Sequence, residues 1–188
     1  MKYLKYLLGV IALLAAIFFI NGMITPSISY SSEISVDKPL NEAWAVMNDD
    51  SKISQWLKGI KSVEHVSGEK GTPGAVMKYV FEENGQESEV VETLKEIRKN
   101  EYVAMDFAME GAMDMAYQVH FSEKDGKTNI KSETVAQGQG MFMKSMLSFM
   151  TSTMQAQEDE DMSNLKKLIE ENTTDYFPVP VVEMIEEN

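Results

Sequence analysis

The chain contains no cysteine. That excludes disulfides, thiol nucleophiles, thiolate zinc sites and lipid attachment through an N-terminal cysteine. Histidine is nearly absent too, with only His65 and His120, so histidine-based metal centres and proton relays have few places to form. Basic residues are outnumbered, 17 against 30 acidic ones, for a formal net charge of -13. Such a balance repels phosphate backbones and anionic headgroups and argues against nucleic acid as a partner. No glycine-rich phosphate loop and no nucleophile elbow occurs. At 188 residues and 44% hydrophobic composition, the chain suffices for one good core but not for two ordinary domains.

What is present begins with a long apolar run. Lys2 and Lys5 precede residues 6–24, which carry no charge. As a helix rising 1.5 Å per residue they reach roughly 28 Å, close to a hydrocarbon core of about 30 Å. Residues 1–27 therefore read as a membrane anchor with a short spacer. A cleaved signal peptide starts in the same way, but the only small-x-small site is Ser27-Ile28-Ser29, so the pattern favours a retained anchor. Both readings export the domain. With its early lysines before the span and no basic residue after it until Lys38, a single-pass anchor leaves the N-terminus cytoplasmic and the domain periplasmic or on the cell surface.

Residues 28–172 read as one α+β domain. A first strand over residues 28–36 is followed by two short helices, the first carrying Leu40, Ala43, Trp44 and Met47 and the second Ile53, Trp56 and Leu57 on one side, with Asp50 or Ser51 as its cap. A run of strands follows, for a curved antiparallel sheet of about seven in all. Asn84-Gly85 and Asp125-Gly126 signal two-residue hairpins, Lys99-Asn100 a weaker turn, and Glu110-Gly111-Ala112 a three-residue loop. These turns set Tyr79 opposite Val90 and Met77 opposite Glu92. They also pair Glu92 with Phe107, Leu94 with Met105, Phe107 with Met115, Tyr117 with Thr134 and Val119 with Ser132. Because side chains alternate with period two, one face collects the apolar set and the other collects charge, His120 included. The long helix expected over residues 141–172 presents Met143, Met146, Leu147, Met150, Met154, Met162, Leu165, Leu168 and Ile169 as a stripe, the natural lid for that apolar face.

The run from Ile34 to Trp44 (Ile34-Ser35-Val36-Asp37-Lys38-Pro39-Leu40-Asn41-Glu42-Ala43-Trp44), then Trp56, the Gly68 to Gly74 turn and the closing Met162-Ser163-Asn164-Leu165-Lys166-Lys167-Leu168-Ile169-Glu170 resemble the SRPBCC superfamily. That group includes polyketide cyclase/dehydrase-like and START-related lipid-transfer proteins. The resemblance covers residues 29–172 and implies a helix-grip fold similar to the birch-pollen allergen, with a cavity between sheet and helix for a hydrophobic small molecule or lipid.

The abundant methionines on the concave face allow two readings, gap-filling in an irregular core or a pocket that reshapes around apolar ligands. The resemblance favours the pocket. Its expected lining is Trp56, Met77, Tyr79, Glu92, Met105, Phe107, Met109, Met113, Met115, Tyr117, Ser132, Thr134, Met143, Met146 and Met150. Glu92 is expected on the apolar face with a raised pKa, hydrogen-bonded by some of Tyr79, Tyr117, Ser132 and Thr134. No catalytic residue, metal or cofactor is assigned. Glu158-Asp159-Glu160-Asp161 is expected to be a solvated helix face, and residues 173–188 an acidic tail, extended or docked through its aromatic core. Three functions follow: a membrane-tethered domain that binds a hydrophobic molecule, a cyclase/dehydratase-type enzyme using the same pocket, or an interaction module filled solidly by methionine.

Overall fold

A computed structural model describes residues 2–83 and 85–178. Helix α1 (Lys2–Ile24) contains a segment, Tyr3–Ile24, long and apolar enough to cross a membrane. Thr25 and Pro26 alone separate it from strand β1 (Ser27–Val36). Pro39, held at φ -59, stops the strand and opens α2 (Leu40–Met47); its carbonyl accepts the Glu42 and Ala43 N–H groups, each at 3.0 Å. A 3-10 turn (Asp50–Lys52) then leads into α3 (Ile53–Trp56). Its cap is Asp49 rather than Asp50 or Ser51, because the Asp49 carboxylate accepts the Ser51 N–H and hydroxyl at 3.0 and 2.6 Å.

The remaining elements are β2 (Ile60–Ser67), β3 (Val76–Glu83), β4 (Gln86–Arg98), β5 (Tyr102–Met109), β6 (Met113–Lys124), β7 (Lys127–Gly138) and α4 (Gly140–Glu170). The strands form one antiparallel sheet in the order β1-β7-β6-β5-β4-β3-β2. Only β1 departs from a meander, because α2 and α3 carry the chain across to the far edge. The expected pairs are present: Met77 pairs with Glu92, Glu92 with Phe107, Phe107 with Met115, and Tyr117 with Thr134, although the Lys99-Asn100 turn also takes in Glu101 and a bulge at Leu94/Glu96 restores the β4–β5 register. Glu83 pairs with Gln86, leaving a two-residue connection in which Gly85 has φ +76; Asn84 lies outside the described residues. Register shifts at Ile60/Ser62, His65/Ser67 and Leu94/Glu96 add bends. This is a helix-grip α+β fold.

The grip is asymmetric. Helix α4 lies closest to β1 and β7, with α2 and α3 against its second half. It does not cover the sheet centrally, and Met77, Glu92, Met105, Phe107 and Met109 on β3, β4 and β5 stay half-buried. Two apolar clusters result. One, at the α2 and α3 end, gathers Trp44, Trp56, Phe121, Ile130, Met162, Leu165 and Ile169. The other, at the end where α1 enters, gathers Ile28, Met113, Ala136 and Leu147, with Met109, Met115 and Met154 half-buried around them. Gln139 fastens the start of α4 to the β5–β6 turn, accepting the Gly111 N–H and donating to Asp114, both at 2.9 Å.

Beyond α4 the chain turns back over α2. Tyr176 donates to Asp49 at 2.7 Å, and Lys52 lies 5.2 Å from its ring centre while bonding the side chains of Asn172 and Thr174. Residues 179–188 of the expected tail lie outside the described residues.

Candidate functional site

The concave face between the two clusters carries polar groups that an apolar core does not require. On β3, Tyr79 is buried and its hydroxyl donates to Glu92 Oε2 of β4 at 2.7 Å. Burial holds the Glu92 carboxyl above the usual carboxylate range; Asp50 adds repulsion, and the Tyr79 bond pulls part of the way back. Burial and the Glu92 charge push the Tyr79 hydroxyl up in turn.

A second carboxyl enters from the helix. Glu158 accepts from Tyr117 of β6 at 3.2 Å and from the fully buried Ser132 of β7. Burial raises its pKa, against the lowering by those two bonds. Tyr30 of β1 is raised to about 12 by burial and by Glu158. Asp161, one turn on, is raised to about 6, again chiefly by burial.

This corrects two sequence expectations. Residues 158–161 are not a uniformly solvated face: Glu158 lies eleven residues after Leu147, about three turns, and so falls on the sheet-facing line of α4. Nor do the polar groups of the concave face converge on Glu92. Tyr79 alone bonds it, while Tyr117 and Ser132 bond Glu158; Thr134 is buried between Tyr30 and Tyr117 of the flanking strands. Glu158 was legible only through helical phase, since position 158 repeats the spacing of Leu147 and Met154.

The other expected residues divide between the ends. Met113 is buried, and Met105, Met109, Met115 and Phe107 are half-buried, with the Phe107 ring edge-on to Tyr117 at 6.0 Å. Met143, Met146 and Met150 are half-buried on the flank of α4 that also carries Asp161, about five turns on from Met143. Trp56 belongs to the closed end, where its carbonyl accepts from Asn164 at 3.4 Å and its indole N–H has no partner among the described residues. His120 is on the outer face opposite Lys131, its ring 4.8 Å from Tyr102.

Two open depressions, of about 260 and 390 Å³, lie outside the grip. One is against residues 172–177, and the other is lined mainly by outer-face residues around Val91, Ala108 and Val135. Among the described residues no group of three or more His, Asp and Glu side chains is arranged to hold a metal ion. What the concave face offers chemically is an apolar surface with two protonatable hydrogen-bond acceptors, Glu92 and Glu158, set into it.

Residues 27–170 match the family described as polyketide cyclase/dehydrase and lipid transport. No curated protein matches the chain. Among solved structures, TTHA0849 from Thermus thermophilus is similar at a TM-score of 0.62 and 13% identity, over 76% of this chain and 97% of that one. Ara h 8.0201 is similar at 0.55 and 18%, over 74% and 98%. The di-domain ARO/CYC BexL from the BE-7585A biosynthetic pathway is similar at 0.58 and 13%, over 79% of this chain and 52% of that one. Likeness at such identities establishes the fold, and the family match fixes the rest: the chain belongs to the polyketide cyclase/dehydrase and lipid transport family, within the SRPBCC superfamily.

Proposed function

We propose that this protein is a membrane-anchored binding domain whose groove holds an amphiphile, with the apolar tail against the methionine cluster and a hydrogen-bond-donating head at Glu92 and Glu158. The observation that carries this reading is the pair of half-buried carboxyls, each bonded by a tyrosine, on an otherwise apolar concave face. A solid core has no use for them, since burying a carboxyl costs stability. The chemistry selects the head. Both groups accept when ionised, and among the described residues neither has a cationic side chain bonded to it, so a hydroxyl or amine fits and a carboxylate or phosphate is repelled.

The anchored state is supported by the way α1 joins the domain. Its last turns pack against α4, and a segment so incorporated serves as an anchor better than as a discarded signal. The lysine asymmetry supports a cytoplasmic N-terminus and an extracytoplasmic domain. Competition between dodecanol, dodecylamine and laurate for a groove-bound fluorescent probe tests the head preference. The alcohol and amine should displace the probe at lower concentration than laurate at pH 7, and Glu92→Gln with Glu158→Gln should remove the difference. Equal displacement by all three in the native protein contradicts the reading.

A second reading, a cyclase or dehydratase, is favoured by one observation: a raised carboxyl beside a tyrosine is a general-acid arrangement, and here it occurs twice. Turnover of a polyketone substrate that falls at least about a hundredfold in Glu92→Gln or Glu158→Gln marks the enzyme. Binding without turnover marks the carrier.

A further inference from the structure

Helix α1 does not simply lead into the domain. The Phe18 ring stacks on Phe149 of α4 at 5.9 Å and leans on Phe142 at 5.7 Å. The Asn21 amide donates to Ser148. Gly22 sits so close to Ser145 that a Cβ there would lie 2.6 Å from its backbone nitrogen. These contacts fix depth. Phe18 precedes Ile24 by six residues, about 9 Å along the helix, so if Tyr3–Ile24 spans a hydrocarbon core of about 30 Å, Phe18 lies within the acyl region. Phe142 and Phe149, which touch it, share that depth.

The composition of α4 changes accordingly. Residues 140–154 hold one charge, Lys144, whereas residues 155–170 hold Glu158, Asp159, Glu160, Asp161, Lys166, Lys167 and Glu170. Within the first half Met141, Phe142 and Phe149 are 46, 58 and 64% exposed, an apolar patch that water does not favour and an acyl layer does. The inner side of the same half carries Leu147, packed with Ile28 and Met113 at the methionine end of the groove. Glu158 lies about 16 Å further along α4 than Leu147, beyond this apolar half.

We propose that the first half of α4 is seated beside α1 in the leaflet from which the domain emerges, so that the methionine end of the groove opens onto the bilayer. The amphiphile is then a membrane-resident one, drawn in head first towards Glu158 with its tail trailing into the acyl layer. This inference rests on the proposed binding function and on α1 as the anchor, and it names where the ligand comes from.

Because the chain has no cysteine, single-cysteine labels report depth cleanly. The full chain is reconstituted in phosphatidylcholine vesicles with an environment-sensitive fluorophore at Leu14→Cys in α1, at Met141→Cys or Phe149→Cys in the first half of α4, or at Ser163→Cys in its second half. Acyl-chain nitroxide lipid should quench the first three at least about threefold more strongly than the fourth, and aqueous iodide should reverse the order. A Leu14 label in lipid with the Met141 and Phe149 labels in water overturns the seating and leaves the anchored binding domain intact. A Leu14 label in water overturns the anchor as well. For loading, a label at Met109→Cys should be quenched by the same nitroxide lipid. The quenching should be lost when Phe142→Asp and Phe149→Asp lift the seat while α1 keeps the protein in the vesicle. Unchanged quenching in that variant, or none in the parent, overturns loading from the membrane.

Discussion

At the α2 and α3 end of the grip, Ile130, Leu165 and Ile169 are fully buried and the Trp44 ring packs on Phe121 at 5.0 Å. At the α1 end, Met109, Met115 and Met154 stay half-buried around Leu147. Branched and aromatic side chains hold few rotamers and lock into a dense core, whereas methionine bends to fill what is left and re-forms when the contents change. On the proposed function, one sheet and one helix hold a permanent core at one end and an adaptable trough at the other, with the two carboxyls between them.

The largest expected effect breaks this contrast in energy. Leu165→Ala should cost about 2 to 5 kcal/mol, because a fully buried side chain leaves a cavity. Met115→Ala should cost under about 1.5 kcal/mol while weakening retention of an apolar probe, since its side chain is only half-buried. Thermal and urea unfolding in detergent micelles gives both numbers. Equal losses at the two ends would make the methionine end ordinary core.

Much of the sheet was legible in the sequence, though the contrast between its ends was not. Turn residues set the register: Met77 facing Glu92 followed from Asn84-Gly85, and Glu92 facing Phe107 from Lys99-Asn100, where Glu101 lengthens the turn by one residue and the bulge at Leu94/Glu96 restores the pairing. Glu158 was not legible, because a run of four acidic residues has the composition of a solvated face and only its phase relative to Leu147 sends one carboxyl inward. Nor was the position of α4, which depends on how tightly α2 and α3 close one end. The α1 contact left one trace, the small residues Gly22, Ser145 and Ser148 amid bulky apolar neighbours.

That contact supplies the next prediction. Gly22→Leu places a side chain where Ser145 already sits, so α1 and α4 should separate at a cost of about 1 to 3 kcal/mol. A cross-link between cysteines placed at Asn21 and Ser148 should fall with it, while the closed end keeps its unfolding midpoint.

Smaller effects should come from the carboxyls, through pH. Glu92, Glu158 and Asp161 all have folded-state pKa values raised above the unfolded ones. Each therefore contributes stability that is complete below the unfolded value, near 4, and is lost as pH rises through the folded value, about 6 for Asp161. Relative to the Glu158→Gln and Asp161→Asn variants, the native chain should therefore lose stability as pH rises from about 4 to 7, whatever slope the lowered carboxylates Asp37, Glu42, Asp49 and Glu133 give to both. A native-minus-variant difference that stays flat or rises across the window would contradict the burial of these groups. The smallest effect belongs to the outer face: His120→Ala, remote from the groove, should stay within about 0.5 kcal/mol and leave probe binding unchanged.

The contrast between the ends is read most directly from the methionines, which mark both. Methyl-labelled methionine NMR of the full chain in micelles, titrated with dodecanol, follows Met109, Met113, Met115, Met143 and Met150 in the trough alongside Met47 and Met162 in the closed end. Saturable shifts confined to the first group are the predicted result. Shifts absent throughout, or equal at the two ends, would contradict a ligand trough built onto a solid core.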